Sequence, residues 1–391
     1  MDSNAFGKLV REYRQQRGWT QEVLADRWGF TRIYISQIER GKRKLDKLEQ
    51  VYRLADILGI PEERLAAVGK GFPLRKTHKQ TSVEGEDLLL KALLEPAETT
   101  IKLSWLIWQG NGKIINIESS LHNLAEQLEV ALDSYRGQFR VPALRLLAYT
   151  HEMLGKQAIE RIRTKEAIFH FQQMYDIAEE TGDPDLVALA IVHQSEMFRR
   201  RKWFEAALRR MAVAENYLKD HEVSPHIQGV LWRASAINHY VYRDEQGFLR
   251  AIDRASEIAE NIKPTVDTVG NDFDRVEVLQ VKAIGLTTLG KPEQAIEIYK
   301  ETDKLRPFRP LRDQSSYHII KAQSYCLAGD TQTGIKHAKE GMKLAEIIHS
   351  IRYIIRLQQM FDLVGATPLA KQRDMIDLRG EILGTLQHMQ D

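Results

Sequence analysis

Four residues near the N-terminus, Arg32, Ile33, Tyr34 and Gln37, have types and spacing suited to reading a nucleic acid. At the start of a helix, their spacing faces them outward while Ile35 and Ile38 turn inward. A helix that exposes its N-terminal polar residues in this way can enter the major groove of DNA and meet base edges there. The cations of the next turn, Arg40, Lys42, Arg43 and Lys44, would lie over phosphates. No comparable pattern for bond-making chemistry is present. The chain has no HExxH, CxxC, GxxxxGK[ST] or GxSxG motif. Its twelve histidines are scattered, and His151 and His170 lie far apart with no carboxylate at metal-ligand spacing. Gly110-Asn111-Gly112-Lys113 reads as a turn, and Glu179-Glu180 as an exposed helix end. The expectation is no catalytic residue, no metal site, no cofactor and no enzymatic activity.

The elements that must hold the four residues in place are short helices. Phe6, Leu9, Val10 and Tyr13 form the apolar face of the first, which Gly18 ends. Thr20 caps the second, with Glu22 and Asp26 suited to its first turns, and Gly29 closes it. Thr31 caps the third, which stops at Gly41. Leu45, Leu48, Val51, Tyr52, Leu54, Ala55 and Leu58 line a fourth, and Pro61 opens a fifth on PEERLAAV. The small Ala25 lets the second and third helices pack closely.

Charge is distributed unevenly. Residues 1–70 hold 14 Lys/Arg against 10 Asp/Glu, whereas the remaining residues hold 42 against 44. A basic module on a near-neutral body points modestly to nucleic acid. A length of 391 residues calls for two or three domains. The segment 70–86, polar and basic with glycine at each end and a proline, is the best linker. The expected division is therefore a DNA-binding domain over 1–69, a linker over 70–86 and a helical repeat domain over 87–391. One cysteine, Cys326, with no apolar leader and no stretch long enough to span a membrane, places the chain in the cytoplasm.

The stretch Thr20–Lys44 resembles the lambda-Cro/repressor (XRE-type) helix-turn-helix family, through Thr20-Gln21, Leu24-Ala25, Gly29, Ser36-Gln37-Ile38-Glu39 and Gly41-Lys42. The match covers residues 5–68. It implies a five-helix lambda-repressor-like domain with Arg32, Ile33 and Gln37 at base-reading positions and Thr31 and Tyr34 on backbone or flanking bases. Gln21 would touch a phosphate and brace the reading helix. Ile33 departs from the family's polar choice and suits a thymine methyl. Glu39 corresponds to the family's structural acid.

Behind the linker, helical periodicity recurs as pairs. Ala167, Ala207, Ala251, Ala295 and Gly334 are spaced 40, 44, 44 and 39 residues apart, each followed four positions on by Phe171, Met211, Ala255, Tyr299 or Ala338. Trp105, Trp108, Tyr240 and Tyr242 read as core. Leu154-Gly155, Ala283, Gly290, Pro307, Ala322, Tyr325 and Gly329 add to a resemblance to tetratricopeptide repeats. That resemblance makes the chain all-α overall, its second part a right-handed α-solenoid with a concave groove. Arg199, Arg233, Asn238, Gln280 and Gln323 are the polar candidates for that groove. The combined layout resembles the RRNPP group of peptide-responsive regulators. It implies a homodimer that binds a double-stranded operator and a short signalling peptide. The alternative is a repeat scaffold for a protein partner, with the DNA-binding head secondary.

Overall fold

A threonine hydroxyl and two left-handed glycines punctuate the N-terminal helices. Thr20 Oγ1 accepts the Val23 N–H at 3.1 Å, and Gly18 and Gly41 end their helices at φ +67° and +66°. The computed structural model describes residues 3–28, 30, 32–43, 45, 48–61, 64–65, 83–110, 115–133, 135–262, 273–305, 309–364 and 367–390. Within them the chain forms two compact units, Met1–Gly85 and Glu86–Asp391, and every regular element is helical.

The first unit contains α1 (Ser3–Gln16), α2 (Gln21–Trp28), α3 (Arg32–Glu39) and α4 (Leu48–Leu58). Of the fifth helix expected on PEERLAAV, Arg64 and Leu65 are helical, while Glu62, Glu63 and residues 66–68 lie outside the described residues. Phe6, Val10, Leu24, Ala25, Trp28, Ile35, Ile38, Leu54 and Leu58 make its core. Gly29, Thr31 and Lys44 also lie outside the described residues, as do 70–82 of the expected linker, 111–113 of the expected turn and Pro307.

The second unit begins with α5 (Val83–Gly110), already helical inside the segment read as linker, and α6 (Ile115–Leu132). Then come α7 (Arg140–Glu160) with α8 (Thr164–Thr181), α9 (Pro184–Arg200) with α10 (Phe204–Asp220), and α11 (Pro225–Tyr242) with α12 (Glu245–Asn261). α13 (Arg275–Thr288) pairs with α14 (Pro292–Thr302), α15 (Leu311–Leu327) with α16 (Thr331–Ile347), and α17 (Ile351–Val364) with α18 (Arg373–Gln390). The first helices of successive pairs, α9, α11, α13, α15 and α17, also touch one another and form an inner layer. This is a helical-repeat solenoid. The small anchors Ala167, Ala207, Ala251, Ala295 and Gly334 are all buried, as are their partners four residues on. They mark the close approach that lets each pair bury its apolar face. At Gly334, an added Cβ would come within 2.4 Å of the Cys326 sulfur.

In the five pairs from α7/α8 to α15/α16, the turn places one residue in the left-handed region. Gly290 (φ +84°) and Gly329 (φ +90°) do so as expected for glycine, but Ile162, Lys202 and Arg243 take the same role at φ +60° to +67°. Aspartates cap several helix starts: Asp183, Asp244, Asp274 and Asp330 each accept a backbone N–H of the first turn.

The end of α7 meets α15 and the start of α17. Glu160, at the end of α7, is buried and answers residues almost two hundred positions away. Arg312 Nη1 approaches its Oε2 at 2.7 Å, an ion pair that misses hydrogen-bond alignment, Arg352 lies at 3.6 Å, and the Ser350 hydroxyl donates to Oε1. Arg312 Nε also donates to the Trp108 carbonyl on α5 at 2.7 Å. Burial alone would raise the Glu160 carboxyl. Arg312, Arg352 and Ser350 together outweigh it and hold the group below the usual carboxylate range. A depressed carboxyl contributes stability above its unfolded value, near 4.5, and loses it as pH falls through the folded value. Glu160→Gln therefore lowers the unfolding free energy of the repeat unit at pH 7 by about 3–5 kcal/mol, because Arg312 is left buried and unanswered. Urea unfolding at pH 7 and at mildly acid pH checks this. An unchanged midpoint at pH 7 would remove the clasp from the account.

Candidate nucleic-acid interface and interior cavity

Helix α3 is held from behind by one buried carboxylate. Glu39 Oε1 accepts Arg14 Nε at 2.5 Å and Oε2 accepts Arg14 Nη2 at 3.0 Å, while Arg14 Nη1 donates to the Trp19 carbonyl at 2.6 Å. Gln21 Nε2 donates to the same Oε2 at 2.7 Å. α1, the turn before α2, α2 and α3 thus meet on a single acid. The sequence marked Glu39 as structural and Gln21 as a brace, and Arg14, their partner across 25 residues, was not legible. Charge-assisted bonds of this kind are short and directional, so they fix an angle as well as a distance.

Ile35 and Ile38 point into the core and Arg32 points out. Ile33 is 70% exposed, although it is a large apolar side chain on a fully formed helix. Gln37 is half-buried, and the Arg43 guanidinium lies 3.5 Å from its Oε1 and 4.3 Å from the centre of the Tyr34 ring. Tyr34 stacks on Phe30 at 4.4 Å and 15°, and its edge meets Trp28. This aromatic stack ties it to the core beneath. Arg40 and Lys42 are exposed. The structure thus brings Tyr34, Gln37 and Arg43 together, leaves Arg32 and Ile33 exposed on the same helix, and turns Gln21 to Glu39. Thr31 and Lys44 fall outside the described residues.

The inner layer of the second unit lines a half-open cavity of about 890 Å³. Its wall includes Arg199, Arg233, Asn238 and Gln280, while Gln323 is not part of it. Gln323 lies on α15 but past the turn that faces the cavity, where Ser316 and Ile320 do. Arg233 pairs with Glu277 at 3.1 Å, and Gln280 Nε2 donates to Asp313 Oδ1 at 3.3 Å. Asn238 Nδ2 donates to the Ser195 hydroxyl at 2.7 Å, leaving its buried Oδ1 without a partner. The Arg199 Nε is likewise buried without one. Lys156, Arg200, Arg312, Arg352 and Arg356 bring the cationic side chains on the wall to seven, against Glu196, Glu277 and Asp313. Burial, and after it the neighbouring Asp313, raises the Glu277 carboxyl despite the opposing pull of Arg233. Trp105 and Trp108 belong to the core, as expected, but both also reach the cavity wall, with Arg312 4.6 Å from the Trp108 ring centre. Tyr240 is core as well. Tyr242 departs from expectation: it is 44% exposed, because α11 has turned that position away by its last residue.

Residues 5–68 match the family model described as a helix-turn-helix domain. Over 71 residues the chain is 41% identical to the uncharacterized HTH-type transcriptional regulator RghRB of Bacillus subtilis (strain 168), covering 17% of this chain and 51% of that protein. It is 33% identical over 66 residues to the uncharacterized HTH-type transcriptional regulator YazB of the same organism, covering 17% of this chain and 94% of YazB. The chain thus spans about half the length of the first relative and nearly all of the second. A structure of Bacillus thuringiensis PlcR in complex with the peptide PapR7 and DNA aligns over 93% of this chain and 100% of that one, at 10% identity and a TM-score of 0.28. A likeness of that size carries no argument.

The interface depends on α1 lying against α3. A Cβ added at Gly7 would come within 2.2 Å of the Ile38 carbonyl oxygen, a backbone atom that cannot swing aside. Gly7→Ala is expected to destabilise the N-terminal unit by about 1–3 kcal/mol by overpacking, read as a lower urea midpoint. A midpoint at or above that of the native chain would contradict this close approach.

Proposed function

Because the chain belongs to the HTH-type transcriptional regulators, we propose that it is a cytoplasmic, sequence-specific DNA-binding regulator that reads a duplex operator with α3. The observation that carries this reading is Ile33, an isoleucine 70% exposed between an exposed arginine and a half-buried glutamine. Placed at the N-terminal end of α3 beside an exposed arginine, that side chain can meet a thymine methyl in the major groove. In this reading Arg32 and Gln37 meet base edges, and Thr31 and Tyr34 contact backbone or flanking edges. Arg40, Lys42, Arg43, Lys44 and Gln21 hold phosphates. Two copies read two half-sites, so the chain works as a homodimer. Sedimentation at micromolar concentration should give twice the monomer mass.

The repeat unit binds a short acidic peptide in its cavity, and that binding controls the DNA-binding heads. Two unpartnered buried atoms support this, the Arg199 Nε donor and the Asn238 Oδ1 acceptor, together with a wall rich in arginine. An acidic peptide carries both the charge and the N–H groups that such a wall leaves unanswered. The cavity volume lies toward the upper end of the range for ligand sites. The arginine-rich, polar wall favours a small charged ligand over a folded protein partner, which an apolar groove would suit better.

Footprinting and salt titration test the first half of the proposal. Arg32→Ala or Gln37→Ala relaxes base choice at one position by about 1–3 kcal/mol, whereas Lys42→Ala weakens all sequences alike and lowers the salt slope by about one. An Arg32→Ala variant with unaltered footprint and affinity would refute the base-reading assignment. For the second half, selection from a short-peptide library on the full chain should enrich acidic sequences whose binding falls about tenfold or more in Arg199→Ala. Enrichment that is blind to the cavity arginines would point to the scaffold reading instead.

A further inference from the structure

α6, α7 and α8 bring together histidines that lie far apart in the sequence. His122 is on α6, His151 on α7, and Glu166 and His170 stand one turn apart on α8. Donor atoms of His122, Glu166 and His170 all lie within 4.8 Å of one another. His170 and His151 are buried, and their Nδ1 atoms are 3.0 Å apart. One of these nitrogens must carry the proton. His151 Nε2 lies 3.5 Å from the Glu129 carboxylate, an ion-pair distance without hydrogen-bond alignment, and a proton on that nitrogen would leave His151 Nδ1 as an acceptor. His170 then donates from Nδ1, and its Nε2 carries the free lone pair. The chain from Glu129 through His151 to His170 has the order in which metal-ligating histidines are oriented, with the second ring N–H directed at a carboxylate or its relay.

We propose that His122, Glu166 and His170 form a site for one divalent d-block cation, zinc by its donor set, with the fourth position open to water or an added ligand. Two imidazoles and one carboxylate are a known zinc set, with bonds of about 2.0–2.2 Å that place neighbouring donors roughly 3.4 Å apart. His122 is exposed and Glu166 half-buried, so each can move the ångström or so required, while His170 stays fixed. Arg163 reaches Glu166 at only 3.4 Å and keeps its closer partner, Glu118, at 2.9 Å when Glu166 turns to the cation. The fold supplies its own comparison. His318 and His337 form a second pair with the same separation of 19 residues, Nδ1 to Nδ1 at 2.9 Å on α15 and α16. Among the described residues, only the His122 group gathers three metal-binding side chains.

The test is equilibrium dialysis of the full chain against zinc chloride, with cobalt substitution as the spectroscopic reading. One zinc per chain is expected, along with tetrahedral cobalt bands and a rise in Tm on adding metal. His122→Ala, at the exposed end, should abolish the one-to-one stoichiometry while leaving the metal-free Tm unchanged. Glu129→Gln should weaken zinc about 10- to 100-fold through the relay alone, and His318→Ala should change nothing. Zinc binding that survives the His122→Ala, His170→Ala double variant, or no binding at micromolar zinc, would overturn the assignment.

Discussion

A carboxylate taken out of water must be answered where it lies, and this chain is arranged around two of them. Glu39 is answered by Arg14 and Gln21, Glu160 by Arg312, Arg352 and Ser350. Neither ion pair is a cheap source of stability, since desolvating both partners offsets most of the attraction. What they supply is geometry. A hydrophobic contact tolerates sliding, whereas an arginine fork on a carboxylate tolerates little. In the first unit the acid sits at the end of the reading helix, so the angle of α3 follows from one bidentate bond. In the second it sits where α7 meets α15 and α17, and so fixes Arg312 and Arg352 on the cavity wall.

The wall of that cavity applies the same constraint in reverse. Its arginines are held by aromatic faces, by the acids of the wall and, for Arg312 and Arg352, by Glu160 behind it. Guanidinium groups tolerate this better than ammonium groups do, because they are weakly hydrated and stack on rings. An incompletely answered set of cations in a partly dry space gives an incoming anion unusually strong interactions.

Much of the head was legible in the sequence because its signals are local. Thr20, Gly18, Ala25, Gly41 and the Ile35/Ile38 pair each have a stereochemical role that can be read within one turn. The repeat anchors were legible for the same reason: a small residue is needed wherever two helices nearly touch. Arg14 was not, since nothing local marks an arginine as the partner of an acid 25 residues on. The turns were half legible. Gly290 and Gly329 announce a left-handed residue, but Ile162, Lys202 and Arg243 adopt it against their preference, so three of five turns carry no sequence mark. Gln323 shows the limit of register: it is on the expected helix but on the wrong part of its face. The histidines show another. Spacing along the chain separated His151 from His170, and only the pairing of α7 with α8 reveals that their rings meet.

Solenoids normally behave as springs, with each repeat adding a small compliance and the pitch varying smoothly under load. Here the first coil is riveted to the last through Glu160, and Arg312 adds a second rivet to the carbonyl of Trp108. Pitch can then change only after those bonds part. The body yields little until a threshold and then opens at once, which makes it a latch and no longer a spring.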